Sequence, residues 1–212
     1  MRNKKILAAT LIVLLLLCTA AGFQAKAYMG DGKEKVNIDA LPIKTIQASF
    51  VCDPYNIREK VGIVDYVFVG EVVECGKTQY KDAVTIENEN VGTPYTPYKV
   101  NVLSNIKGSL CLNEPIPILK FGGVSQDEMF VLLHEDDVLP QEGQKYVFLA
   151  FAQPDGSLLV SGPNSNIPFE NDPSVYNNEE ADPSNSLYDI YTDAYENEVV
   201  FDRERFVSAY EN

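Results

Sequence analysis

Reactive chemistry has few places to sit in this sequence. Of 212 residues, one is histidine and four are cysteine. No G-x-S-x-G element, no glycine-rich phosphate loop and no C-x-x-C pair occurs. Those absences remove the usual hydrolase, nucleotide-binding and zinc-site signatures. Basic residues are scarce as well: 17 Lys and Arg stand against 31 Asp and Glu, a formal net charge of -14. A chain so charged repels nucleic-acid backbones and anionic lipid surfaces at long range. A nucleic-acid partner is therefore excluded.

The few candidate chemical groups read as structural. His134, in "LLHEDD", could act as a general base beside Glu135, Asp136 or Asp137. No nucleophile motif accompanies it, so it reads as a solvated residue at a strand end. Glu71 and Glu74 could form a carboxylate pair, but a general acid needs an apolar pocket to raise its pKa, which a sequence does not display. The clusters at 135–137 and 170–182 are oxygen-rich but lack the Asp-x-Asp-x-Asp-Gly calcium loop. They read as solvated surface, with weak calcium binding left open. No catalytic, cofactor-binding or metal residue is assigned.

What the sequence does contain begins with an export signal. Arg2, Lys4 and Lys5 precede an uncharged apolar run from Ile6 to Phe23, and Ala25-Lys26-Ala27 follows. That order is a signal peptide over residues 1–27. An uncleaved anchor is the alternative, since the run approaches the roughly 20 residues of a membrane span. Cys18 does not mark a lipoprotein, because bulky Leu17 precedes it. Cleavage removes four basic residues (Arg2, Lys4, Lys5, Lys26), so the net charge moves from -14 to -18. The expected location is extracellular or at the cell envelope, with no membrane attachment after cleavage.

Residues 28–51 read as a loosely ordered arm. "NIREKVGIV" places Ile57, Val61 and Val64 near helical spacing with Asn56 as cap. "DYVFVGEVVEC" is β-branched and aromatic, apolar on both faces, and suits a covered strand. A polar loop or frayed hairpin end fills 76–94. "YKVNVLSNIKG" then alternates: Tyr98, Val100, Val102, Ser104 and Ile106 against Lys99, Asn101, Leu103 and Asn105. Period two predicts one buried and one wet face. "EPIPILKFGG" is a third strand whose Pro115 and Pro117 place its start at an edge. "EMFVLLHE" is a short strand or a helical turn. "GQKYVFLAFAQPDGSLLVSGP" is a hairpin turning at Pro154-Asp155-Gly156. These strands predict an all-β barrel or sandwich. An acidic linker spans 166–186. Leu187, Ile190, Tyr191, Ala194, Phe201 and Phe206 then predict one or two terminal helices over 187–212. The tyrosines at 176, 188, 191, 195 and 210 suit either packing or a binding surface.

The stretches "DYVFVGEVVE", "YKVNVLSNIKG" and "GQKYVFLAFAQPDGSLLVSG", in that order, resemble the netrin-like OB-fold domain of tissue inhibitors of metalloproteinases, in a bacterial secreted form. The resemblance covers about residues 52–165. It implies a mainly β protein: an OB-like five-stranded Greek-key barrel with a C-terminal helical, acidic extension. It also implies a non-catalytic, inhibitor-like module that binds an unknown extracellular protein. One feature departs from the family. The inhibitors' mature chain begins at the cysteine that grips zinc, whereas Tyr28 to Val51, 24 residues, precede Cys52 here. The alternative function is a structural envelope protein whose acidic tail binds cations or wall polymer.

Three cysteines remain after cleavage, Cys52, Cys75 and Cys111. If strands 65–75 and 97–107 are antiparallel neighbours, Cys75 and Cys111 lie at opposite rims, roughly 33 Å apart over ten residues. A disulfide needs Cα atoms within about 7 Å. The expected bond is Cys52–Cys111, with Cys75 left as a reduced, partly buried thiol.

Overall fold

The computed structural model describes residues 38–86, 89–169 and 186–212. The signal segment, the start of the arm, the bulk of the acidic linker and Tyr176 lie outside the described residues. Along the chain come β1 (Ile43–Ile46), α1 (Ile57–Ile63), β2 (Tyr66–Cys75), β3 (Gln79–Ile86) and β4 (Glu89–Lys107). β5 (Pro115–Phe121), β6 (Gly123–Val124), β7 (Val131–His134), β8 (Lys145–Ala152) and β9 (Leu158–Val160) follow. β10 (Asn166–Pro168) and α2 (Leu187–Glu196) complete the order. The protein is mainly β.

β2 is the hub. It pairs antiparallel with β4 on one side and with β8 on the other. β4 pairs antiparallel with β5, β5 runs parallel to β9, and β9 pairs antiparallel with β8. Following these pairings from β2 through β4, β5, β9 and β8 returns to β2. β3 pairs with the first half of β4, and β10 pairs with β8. A second, small sheet holds β1 parallel to β7 and β7 antiparallel to β6.

Two apolar cores use the two faces of β2. Tyr66, Phe68 and Val72 join Val100, Val102, Ile118, Phe148 and Leu158 in the larger one. Val67 and Val69 face the other way and join Val147 and Leu149 against the two helices, through Val61, Val64, Leu187, Tyr191 and Ala194. Both faces of β2 are apolar because both are covered.

β4 does not hold one alternation throughout. Val100 and Val102 are fully buried and Lys99 is exposed, as period two predicts. Register then shifts: Gly70 pairs with Val102 but Val69 with Ser104, and Phe68 pairs with Asn105 but Val67 with Lys107. Leu103 and Ile106 are the extra residues of these two bulges, and a bulge turns its residue toward the other face. Both are half-buried and pack on the helix-side core. Ile106 thus leaves the buried face that simple alternation assigns it. Asn101 is half-buried rather than exposed, with its Oδ1 sealed and unbonded.

The helices are short and set by their ends. The Asn56 side chain accepts from the Arg58 and Glu59 amides, at 3.1 and 3.3 Å, and starts α1. Ser186 and Asp189 form a reciprocal capping box on α2. The last carbonyls of α1 have no helical partners, and cations from elsewhere take them. Lys107 Nζ donates to Val61 O (2.8 Å), Arg205 to Gly62 O (2.6 Å) and Val64 O (2.9 Å), and Arg203 Nε to Ile63 O (2.7 Å). Asp65, 5 % exposed in its side chain, pairs with both arginines, and Glu198 pairs with Lys107.

Three expectations need correction. The arm is not loose throughout, since β1 docks on β7 and Glu135 N donates to Ile46 O. Of the two readings of 76–94 the hairpin is the one formed, β3 with the start of β4. The terminal segment is helical only over 187–196; beyond Asn197 it forms no further helix, and Arg203, Arg205 and the Ser208 amide bond α1 and β2. The Cys52–Cys111 bond is not formed, and no two described cysteines lie at disulfide distance. The antiparallel register behind that pairing does hold, with Cys75 opposite Tyr98 and Val67 opposite Lys107. The error lies in α1. Its seven residues carry the chain about 10 Å, so Cys52 reaches the 163–164 turn, where Asn164 bonds Pro54 O. Cys111 instead meets Asn212 Oδ1 and, through its amide, Tyr210 O.

Gly62 shows how tightly the tail seals α1. A Cβ there would fall on the backbone carbonyl oxygen of Val199. Helix propensity alone favours Gly62→Ala by about 1 kcal/mol. The clash reverses the sign, and urea unfolding should show a net loss of about 1–3 kcal/mol. A stabilised Gly62→Ala chain would mean that the tail does not pack there.

Candidate functional site

After β1 the chain crosses from the small sheet to α1 through residues 47–56. Its path is fixed by side chains. Asp53 Oδ1 accepts from the Tyr55 amide (2.9 Å), and the Asp53 amide donates to Glu59 Oε2 (2.8 Å). Tyr55 OH donates to Asp136 Oδ2 at 2.6 Å. Gly162, at φ +85°, lies under the Phe50 ring. Between this segment and the turns at 135 and 163 lies an open cleft of about 490 Å³. Ile46, Phe50, Cys52, Tyr55, Glu135 and Pro163 line it. Val51 beside it is 84 % exposed and Tyr55 62 %.

Behind the cleft is a group of buried polar side chains. Lys120 is fully buried and donates to both oxygens of Asp137, at 2.8 and 2.6 Å, and to Ser165 Oγ at 2.9 Å. Burial lowers its pKa to about 8 against the pull of Asp137. Lys60 is 5 % exposed; burial pushes its pKa down, and Cys52 and Asp137 oppose that. Burial pushes the Cys52 thiol up, with Lys60 opposing.

His134 is not the solvated residue that its acidic neighbours suggested. It ends β7, buried, stacked on Phe121 at 4.0 Å and met edge-on by Phe50 at 5.6 Å. Its Nδ1 is sealed without a hydrogen bond, and burial holds its pKa below the usual value. Ser165 stands beside a lysine, as in a Ser–Lys pair, but its hydroxyl donates to Gly162 O (2.6 Å) and it is 1 % exposed. A reactant has no path to it.

The other candidates separate. Glu74 pairs with Lys99 on the surface, while Glu71 is half-buried opposite Lys145, so they form no carboxylate dyad. The 135–137 cluster splits: Asp137 is buried, Glu135 and Asp136 exposed. Among the described residues no group of three or more acidic, histidine or cysteine side chains could hold a metal ion. Of the tail tyrosines, Tyr191 is buried, Tyr188 and Tyr210 are half-buried against the cores, and Tyr195 lies outside under Lys107. Cys75 is half-buried at the end of β2, its thiol 3.7 Å from Gly76 O.

The buried lysines are what sequence reading missed, and both left a trace. In "PIPILKF", Ile116, Ile118 and Lys120 share one face by period two, so a lysine occupies an apolar row. Lys60 sits three residues after Ile57 and four before Val64, on the apolar stripe of α1. A cation on such a row needs a buried counter-charge, and for Lys120 Asp137 supplies it. No protein-family model matches this chain, and no curated protein matches it.

Two outcomes follow from the buried groups. Asp137→Asn leaves Lys120 buried without its ion-pair partner and should cost about 3–5 kcal/mol in urea unfolding, whereas the double replacement Lys120→Met with Asp137→Leu should recover nearly all of it. His134 is favoured neutral in the folded state, while the unfolded chain binds a proton below about pH 6.5. Its contribution is present above pH 6.5 and is lost progressively as pH falls from there through the lower folded pKa. His134→Leu should flatten the acid side of the stability profile; an unchanged slope would show that His134 titrates normally.

Proposed function

We propose that this chain is a secreted, non-catalytic binding module that engages a protein partner at the cell envelope through the cleft beside residues 46–55. The observation that carries the proposal is that cleft: apolar and aromatic side chains stand exposed on a segment held by hydrogen bonds at both ends. Exposed aromatic and apolar clusters on a rigid support are what protein partners bind.

The fold behind it is, in the same reading, an OB-like five-stranded Greek-key barrel of the netrin-like kind. Support comes from the pairing order β2–β4–β5–β9–β8–β2 with its single parallel contact, β5 to β9. Barrels of this class bind through an open face and loops. The inhibitors' zinc grip is not part of the proposal, because Cys52 lies within the chain and is buried behind Val51.

The test is capture of extracellular proteins on the immobilised chain. A discrete stoichiometric partner is expected, and it should be lost with Val51→Asp and Tyr55→Ala while the melting temperature changes little. Retention that depends only on calcium or wall polymer, or capture unaffected by both variants, would overturn the proposal.

A further inference from the structure

Among the described residues, β3, β6 and β10 end their sheets with guarded edges. β3 is interrupted by a register shift between Lys81 and Val84, with Asp82 at φ +51°. β10 is three residues long and closes on Pro168. β6 has two residues, and its Val124 carbonyl accepts from Tyr80 OH at 3.0 Å. Bulges, prolines and short length keep a sheet edge from pairing with another chain. β1 carries no such guard. It is the outer strand of the small sheet, joined to β7 alone, and its four residues are all exposed. No proline or glycine falls between Ile43 and Val51. The bonds to β7 fix which way the backbone of β1 faces. Pro42 O and Ile46 O accept from the Val131 and Glu135 amides, at 2.9 and 3.1 Å. Peptide groups alternate sides along a strand, so even positions face β7, and the N–H and C=O of Ile43 and Thr45 point away from it. Among the described residues these outward groups have no hydrogen-bond partner.

We propose that this edge is a homodimer contact: β1 of a second copy lies antiparallel against it across a two-fold axis at Thr45, joining the two small sheets into one. The occupant is a second copy because the row is complementary to itself. About that axis Thr45 meets Thr45 of the second copy, a hydrogen-bonded pair in which the two residues exchange both backbone bonds. Lys44 then falls opposite Ile46 of the second copy, and Ile43 opposite Gln47. An axis at Lys44 would keep the backbone bonds but set two ammonium groups directly across from each other, which is destabilising. Charge permits the approach as well. In a chain of net charge -14, Lys44 is the only charged residue from Leu41 to Cys52, so neither copy brings an acid on this strand. Pairing covers Ile43, 64 % exposed, and Ile46, 37 % exposed. The contact is an interface additional to the cleft, whose exposed Val51 and Tyr55 lie beyond the paired row.

Sedimentation equilibrium of the full secreted chain tests the contact. A reversible dimer is expected, with a dissociation constant on the order of 10–100 µM for so short a row. Thr45→Pro should weaken it about tenfold or more and leave the melting temperature nearly unchanged, because the Thr45 amide faces away from β7 and its loss removes no bond within the chain. Thr45→Lys, which asks no change of the backbone, should weaken it as much by placing like charges at the axis. Disulfide capture reads the register. Opposed residues at the axis have Cα atoms about 5.5 Å apart, so Thr45→Cys should oxidise to a covalent dimer. Ile43→Cys, about 14 Å from its counterpart in this register, should not, and neither should the unaltered chain. A chain that stays monomeric at about 1 mM, a dimer that survives Thr45→Pro or Thr45→Lys at full strength, or equal cross-linking of Thr45→Cys and Ile43→Cys overturns the proposal. So does a monomer whose β1 edge instead takes up an extended peptide of another protein.

Discussion

The carbonyl oxygens at the end of α1 hold the architecture together. A seven-residue helix is too short to be stable by itself, and its last turn exposes unsatisfied acceptors. Lys107 from the end of β4 and Arg203 and Arg205 from the tail fill those acceptors, and Asp65 and Glu198 balance the cations. Each contact joins a different part of the chain to the same turn. Helix, sheet and tail are therefore mutually dependent: the tail has no regular structure of its own beyond Asn197, and α1 has no cap of its own at its C-terminal end.

The same economy governs the polar interior. Lys120 and Asp137 neutralise each other in full burial, an arrangement that contributes little net stability but is costly to break from one side. Lys60 shares the neighbourhood without sharing the acceptor. The cleft beside residues 46–55 is shaped by neighbours with fixed positions, Phe50 over Gly162 and Tyr55 on Asp136.

Much of this was legible in the sequence where local periodicity decides the outcome. The α1 cap at Asn56, the apolar faces of β2, the proline-marked start of β5 and the turn at Gly156 could all be read from residue type and spacing. Two kinds of information could not. Bulges at Leu103 and Ile106 depend on the partner strand, and they swap faces that alternation alone assigns. β1 pairs parallel with β7 across nearly ninety residues (Ile43 with Val131), and its four residues are all exposed, so no apolar pattern announces it. The site was legible only in outline. Lysines on apolar rows were visible, but which carboxylate meets them depends on how the 135–137 turn folds back. His134 looked solvated because its neighbours in sequence are acidic, whereas its neighbours in space are two phenylalanines.

The clasp on α1 also sets an order of events as the chain emerges. Ile63 and the arginine that bonds it are 140 residues apart. At a synthesis rate of about 5–20 residues per second, α1 waits roughly 7–28 s for its cap. Until residues 199–205 arrive, α1 lacks the contacts that seal Gly62 and cap its last turn, and the nascent chain remains open to unfolding. Completion of the helix-side core is thus deferred until that distant segment has been made, which keeps α1 pliable in the interval.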